Sequence, residues 1–293
     1  MKKAILLLVI CLLHAAYMSA QIVSSKKATV HINNKPKEQA PEQIRFRSAG
    51  DDSKPIITGK YYALVIGIQN YNDPQFPKLE NPIRDATMFY NAITSKYTFN
   101  EENVKFLKDA TNMEIEQALE DFSKKVKSDD SFLIFYAGHG FFDEFANNGY
   151  WIPVNAMRSS KTTWFRNSTL RDYLREIKSK HVLLISDACF GGSIFTQSRG
   201  INDASLGIKK LYDLPSKKAM TSGTKKESVS DESAFLKYLV LRLIDNNEKY
   251  LPSGILFSSF SIAVMNNSTT VPQYGVIQEV GDEGGDFIFI LRE

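Results

Sequence analysis

Cysteine is almost missing: the 293-residue chain has two, Cys11 and Cys189, and Cys11 falls within an N-terminal apolar run. A chain left with a single thiol forms no internal disulfide, which excludes a disulfide-stapled scaffold. Long apolar stretches are missing too, because the run Ala4 to Leu13 is about half of the roughly 20 residues that span a bilayer, so no membrane span is expected in the mature chain. Charge of one sign is also scarce. Lys and Arg number 36 against 33 Asp and Glu, and nothing in that balance suggests nucleic acid. There is no P-loop, and Gly138-His139-Gly140 lacks the third glycine of a dinucleotide fingerprint. The four histidines are isolated, so neither a metal nor a cofactor is expected.

What is present begins with Lys2 and Lys3, the apolar run, and small residues ending at Ser19-Ala20, which is the order of a secretory signal peptide. Residues 1–20 are therefore expected to be removed near Ala20 and the chain exported to a periplasmic, cell-surface or extracellular site. A lipoprotein reading at Cys11 is weaker, since Ile10 is large where processing wants a small residue. Residues 21–57 are polar and aperiodic, and read as a leader or tether.

Residues 58–293 carry the pattern of one domain. The 43% hydrophobic content supports a sizeable core. Runs at 61–68, 132–136 and 181–186 are continuously apolar, as strands buried on both faces are, and residues 103–107 read as a further strand. Between them, Pro82 to Lys96, Thr111 to Val126 and Ser168 to Ile177 show helical spacing, with Pro82 suited to a first turn and Thr111 with Glu114 to a capping box. Gly149 to Val154 reads as a short extended piece. Further on, Ser233 to Asn246 and Ile255 to Val264 read as helices and Phe287 to Leu291 as a last strand. This alternation argues for an α/β fold, a mostly parallel central sheet with helices on both faces. Residues 193–218, rich in Gly, Ser and Lys, read as a flexible basic linker.

Two strand ends carry reactive side chains, and in such sheets ligands collect at the carboxyl edge. One run leads into Ala137-Gly138-His139-Gly140 and another into Asp187-Ala188-Cys189-Phe190-Gly191. If the strands are neighbours, an imidazole can take the thiol proton, and the thiolate is the nucleophile. Each residue also has a plain alternative, with His139 a turn residue and Cys189 a small buried hydrophobe. His181, opening a buried strand, is expected to be structural.

The segments Tyr136-Ala137-Gly138-His139-Gly140 and Asp187-Ala188-Cys189-Phe190-Gly191-Gly192 resemble the two catalytic motifs of the caspase-like cysteine peptidases, in particular metacaspase-like bacterial members. The handful of weaker matches at Ala63 to Ile68, Asn81 to Ala86 and Thr221 to Gly223 extends the likeness over about residues 60–291. The resemblance implies a caspase-like three-layer sandwich. It also implies an endopeptidase in which Cys189 attacks the scissile carbonyl, His139 acts as general base and then acid, and the N–H groups of Gly140 and Cys189 hold the oxyanion. No third catalytic residue is evident.

Asp187 stands where caspases with aspartate preference carry glutamine, and Asp85 at the position of a metacaspase pocket aspartate. Two carboxylates in one pocket favour Arg or Lys before the cut; alternatively Asp85 is a helix-start charge and Asp187 a turn former. The partner is thus a peptide or protein substrate, and Arg199, Lys209, Lys210, Lys217 and Lys218 become candidate self-cleavage positions. A calcium requirement is not expected, because Pro153-Val154-Asn155 lacks the family's aspartate and no acid lies between Arg158 and Arg171. The contrasting function is a non-catalytic caspase-like module that binds peptides or regulates a partner. Gly284-Gly285-Asp286-Phe287 reads as a tight turn.

Overall fold

Apolar runs without polar alternation become interior strands because both of their faces are covered. The computed structural model describes residues 59–188, 194–195, 207–224 and 231–293. The expected signal peptide, the leader and Cys189 lie outside these residues. In chain order come β1 (Tyr61–Gly67), α1 (Pro82–Lys96), β2 (Phe99–Lys108), α2 (Asn112–Lys125), β3 (Ser131–Ala137), β4 (Gly140–Asp143), β5 (Asn148–Trp151), β6 (Phe165–Arg166), α3 (Asn167–Glu176) and β7 (His181–Asp187). They are followed by α4 (Ile208–Asp213), β8 (Ser216–Thr221), α5 (Ala234–Asp245), β9 (Tyr250–Pro252), α6 (Ser253–Asn267), β10 (Gln273–Val276) and β11 (Ile288–Ile290).

Six strands make the central sheet in the order β10-β8-β7-β3-β1-β2. All neighbours pair in parallel except β10, which runs antiparallel to β8. Alternation along each strand divides the core into two. Tyr62, Leu64, Phe132 and Ile134 face Ile115 and Leu119 of α2 and Leu170 and Leu174 of α3. Tyr61, Val65, Leu133 and Phe135 face Phe89 and Ile93 of α1, Leu239 of α5 and Phe260 of α6. The expected three-layer α/β sandwich with a mostly parallel sheet is therefore present. Two smaller antiparallel units accompany it, β4-β5-β6 and the pair β9-β11.

Helix boundaries follow local chemistry. Pro82 opens α1, and α2 carries the full capping box, with Thr111 Oγ1 accepting from Glu114 N and the Glu114 carboxylate accepting from Thr111 N. Gly284 sits at φ +90° in a turn, as its position among turn residues predicts.

The expected linker needs correction over its last part, from Ile208 to Lys218. Residues from Ile208 onward form α4 and β8, and Lys217 and Lys218 are buried rather than exposed cleavage candidates. The Lys218 ammonium is paired with Asp282 at 3.0 Å, both side chains being nearly inaccessible, and Lys217 Nζ donates to the Ser179 carbonyl. Burial pulls Lys217 down to about 8, against the opposing attraction of Asp282. These partners lie far along the chain, so the lysines look solvent-facing in the sequence.

Asp282 also accepts from the backbone N–H groups of Lys217 and Gly284. Asp282→Ala should therefore strand a buried ammonium and destabilise the protein by about 3–5 kcal/mol, to be read by chemical denaturation. Breaking the exposed Lys249–Glu293 pair should leave the midpoint almost unmoved.

Candidate active site

β3 and β7 pair in register from Ser131↔His181 to Ala137↔Asp187, so both end at the same level of the carboxyl edge. Gly138 and His139 follow one strand and Ala188 follows the other; Gly138 N reaches back to the Asp187 carbonyl at 3.4 Å. Gly138 has φ +156°, and a Cβ there would lie 2.9 Å from Tyr136 Oη and 3.0 Å from Tyr71 Oη. Only glycine lets those two hydroxyls crowd against the turn.

The hydroxyls and the loop between β1 and α1 fix the imidazole. His139 N donates to Tyr71 Oη at 2.7 Å, and Tyr136 Oη donates to the His139 carbonyl at 2.6 Å. The same carbonyl accepts from Ile152 N at 3.0 Å. The His139 ring lies against Tyr71, with centroids 4.8 Å apart, and its Nε2 is 2.8 Å from the Pro77 carbonyl. A carbonyl only accepts, so Nε2 carries the proton and Nδ1 holds the lone pair of the neutral ring. Burial lowers the His139 pKa, as does the Arg158 charge, while the Pro77 bond and Asp231 oppose the fall. The neutral, proton-accepting form is thus favoured.

Asp109 holds the loop that carries these groups. Its carboxylate accepts from Gln69 N, Asn70 N and Asn70 Nδ2, and Gln69 Oε1 in turn accepts from Ile83 N.

Of the expected site residues, Asp187 lies beside the turn that carries His139 and Gly140, the last opening β4, and Asp85 lies within electrostatic reach of Asp187. Asp187 ends β7 and is buried, with Oδ1 accepting no hydrogen bond. Burial raises its pKa to about 6; Ser233 and Ser222 lie close enough to oppose the rise, and the Asp85 and Asp231 charges add to it. Among the described residues Ser186 Oγ is likewise buried without a partner, and Ser222 Oγ, though close to Asp187, meets no acceptor with hydrogen-bond geometry. Asp85, in the first turn of α1, is buried and raised by desolvation, while Arg84 bonds one of its oxygens through Nε and Nη2 at 3.1 and 3.0 Å.

Asp231 is the residue that sequence reasoning missed. It acts electrostatically on Asp85, Asp187 and His139, and its carboxylate accepts from Glu80 N and Asn81 N at the start of α1. Its neighbour Ser233 caps α5, so the stretch looks like an ordinary helix start. His181, by contrast, is structural as expected: Nε2 is 2.6 Å from the Tyr212 carbonyl, and burial pulls the ring down to about 4. Among the described residues, no group of three or more His, Cys, Asp or Glu side chains is arranged to hold a metal. No helix among them is long and apolar enough to cross a membrane.

The raised Asp187 pKa has a definite sign. Below about pH 3, under the ordinary value of 3.8, the carboxyl is protonated whether folded or unfolded and costs nothing. As pH rises to about 6, the unfolded chain releases the proton first, so stability falls. Asp187→Asn should remove a penalty on the order of 3 kcal/mol at neutral pH and almost none near pH 3, as measured by urea unfolding at both pH values.

A family model described as the caspase domain matches residues 60–273. Metacaspase-6 of Arabidopsis thaliana is 28% identical over 150 residues, which is 47% of this chain and 39% of that protein. The chain thus spans about two fifths of the length of the curated relative it matches. A crystal structure of a Geobacter sulfurreducens protein superposes with a TM-score of 0.53 at 17% identity, covering 78% of this chain and 100% of that one, a likeness of fold. Set beside the in-register edge that carries His139 and Asp187, the match over residues 60–273 shows that the chain belongs to the caspase domain family of cysteine peptidases and is metacaspase-like.

Proposed function

We propose that the chain is an exported cysteine endopeptidase, released by signal-peptide cleavage near Ala20, that cuts after Arg or Lys. Cys189 is its nucleophile, His139 its base and acid, and Asp85 and Asp187 recognise the substrate cation. The observation that carries this reading is the buried Asp187 carboxylate with an unsatisfied oxygen, level with the His139 turn and near a second buried acid. A desolvated anion is costly unless a cation meets it, and a guanidinium or ammonium entering the pocket would do so. The buried Ser186 hydroxyl, which has no partner among the described residues, offers that cation a further acceptor.

The chemistry of this reading needs a thiol at Cys189 and the imidazole of His139. Cys189 is next in sequence after Ala188, and Ala188 follows the strand that pairs in register with the one leading to His139. His139 Nδ1 takes the thiol proton, and the sulfur attacks the scissile carbonyl carbon to form a tetrahedral adduct. The oxyanion is held by the N–H groups of Gly140 and Cys189. Collapse breaks the C–N bond, and the leaving amine takes the proton from the imidazolium. Water, deprotonated by His139, then hydrolyses the thioester and restores the thiol. The Pro77 carbonyl keeps Nε2 protonated throughout and stops the ring from turning. Asp231, whose charge favours the protonated ring, steadies the imidazolium between the two transfers.

Fluorogenic peptides ending in Arg, Lys or Asp test the assignment. Arg and Lys peptides should be cut and the Asp peptide not, with Cys189→Ala and His139→Ala both inactive. Asp turnover equal to that of Arg would refute the pocket, and activity surviving in Cys189→Ala would refute the nucleophile.

Self-processing is the second part of the proposal, with Arg199 ahead of α4 and the exposed Lys209 and Lys210 in its first turn as the positions that remain. Mass spectrometry of purified chains should find cuts there in the native protein and none in Cys189→Ala. Identical fragments from both would assign the cuts to another protease.

A further inference from the structure

The hairpin that leaves the histidine turn has features that neither the fold nor the chemistry at Cys189 requires. β4 begins at Gly140, directly after His139, and pairs antiparallel with β5 in the register Gly140↔Trp151 to Asp143↔Asn148. At its tip Phe145 has a fully exposed ring, at 105% relative accessibility. Single exposed apolar residues are ordinary on protein surfaces. This one differs because the turn beneath it is locked: Asp143 Oδ1 accepts from both Phe145 N and Ala146 N, and Asn147 takes φ +45°. Lys161 Nζ bonds the other Asp143 oxygen. A chain with freedom to fold the ring inward is instead held with it in water, which is preorganisation for a partner rather than for the core.

An aromatic wall joins this hairpin to the imidazole. Phe76 lies 6.4 Å from the His139 ring and 5.9 Å from Trp164, and Trp164 lies 5.1 Å from Phe141 of β4. The Trp164 indole is itself fixed, donating to the Met157 carbonyl at 2.9 Å. The wall therefore begins at the group that protonates the leaving amine and ends on the hairpin.

Direction follows from chemistry. The acid pocket of Asp85 and Asp187 takes the residue before the cut, whereas the leaving amine must sit at the imidazole. Polypeptide beyond the cut therefore departs along the histidine side, past β4. Four strand residues at about 3.4 Å each carry the turn about 14 Å beyond Gly140, the span of about four extended substrate residues.

We infer that the β4–β5 hairpin is a docking element for the leaving-side stretch of a polypeptide substrate, with Phe145 seating an apolar side chain about four residues after the scissile bond. This rests on the peptidase reading. It makes the enzyme select for extended protein segments over short peptides, through area buried by one exposed ring and not through the cation pocket.

Two substrates separate the possibilities. Both share the same residues up to Arg; one ends there in an aminocoumarin, and the other continues for about six residues with Leu at the fourth and a quencher at the end. Phe145→Ser should leave turnover of the coumarin peptide unchanged and lower kcat/KM on the long peptide about tenfold, mainly through KM. Replacing that Leu by Ser should cost the native enzyme a similar factor and cost the variant nothing further. Asp143→Ala, which unlocks the turn but keeps the ring, should give a smaller loss confined to the long peptide.

An equal fall on both peptides, or on neither, overturns the inference. So does a Phe145→Ser protein whose only change is its sedimentation coefficient, since the ring would then serve association between copies of the chain. If the native protein cuts neither peptide, the peptidase reading fails first and the hairpin assignment falls with it.

Discussion

The in-register pairing of β3 with β7 is the constraint on which the rest of the site depends. Parallel strands sharing one level from Ser131↔His181 to Ala137↔Asp187 must end together, so whatever follows them emerges side by side. Both strands are buried along their whole length, and a slip of one residue would move every side chain to the wrong core. Packing energy spread over the two helical layers is thereby converted into the relative placement of a histidine turn and Ala188. Everything nearer the chemistry refines that placement. The Tyr71 hydroxyl, the Tyr136 hydroxyl and the Pro77 carbonyl each fix one atom of His139.

The same edge concentrates uncompensated polarity. Elsewhere in the molecule buried charges are met: Lys218 by Asp282, and Asp286 by Ser253, Tyr274 and two backbone N–H groups at the start of α6. Beside the histidine turn the pattern reverses. Among the described residues Asp187 keeps an unbonded oxygen, Ser186 Oγ is left without a partner, and three carboxylates raise one another or sit within electrostatic reach. Proteins accept such a cost where a ligand relieves it.

How much of this the sequence discloses depends on the physical origin of each feature. β1, β3 and β7 are legible because burial on both faces leaves unbroken apolar runs, and α2 because its capping box is local. β8 is obscured: Lys217 and Lys218 are neutralised by Asp282 and Ser179, partners that spacing does not reveal. At the site, His139 and the expected pair Asp85 and Asp187 stand in recognisable local settings. Pro77 acts through a backbone carbonyl, Tyr71 through a hydroxyl to a backbone amide, and Asp231 from a stretch that reads as a helix start. Their roles exist only once distant segments meet.

The placement of β8 has a consequence for the integrity of the molecule. It joins the sheet after a long excursion from β7, yet lies hydrogen-bonded between β7 and β10 with its two lysines anchored to neighbouring segments. Severing the backbone ahead of α4 would therefore create two polypeptides joined by a shared sheet. Nicking would be visible under denaturing conditions and silent in the native particle.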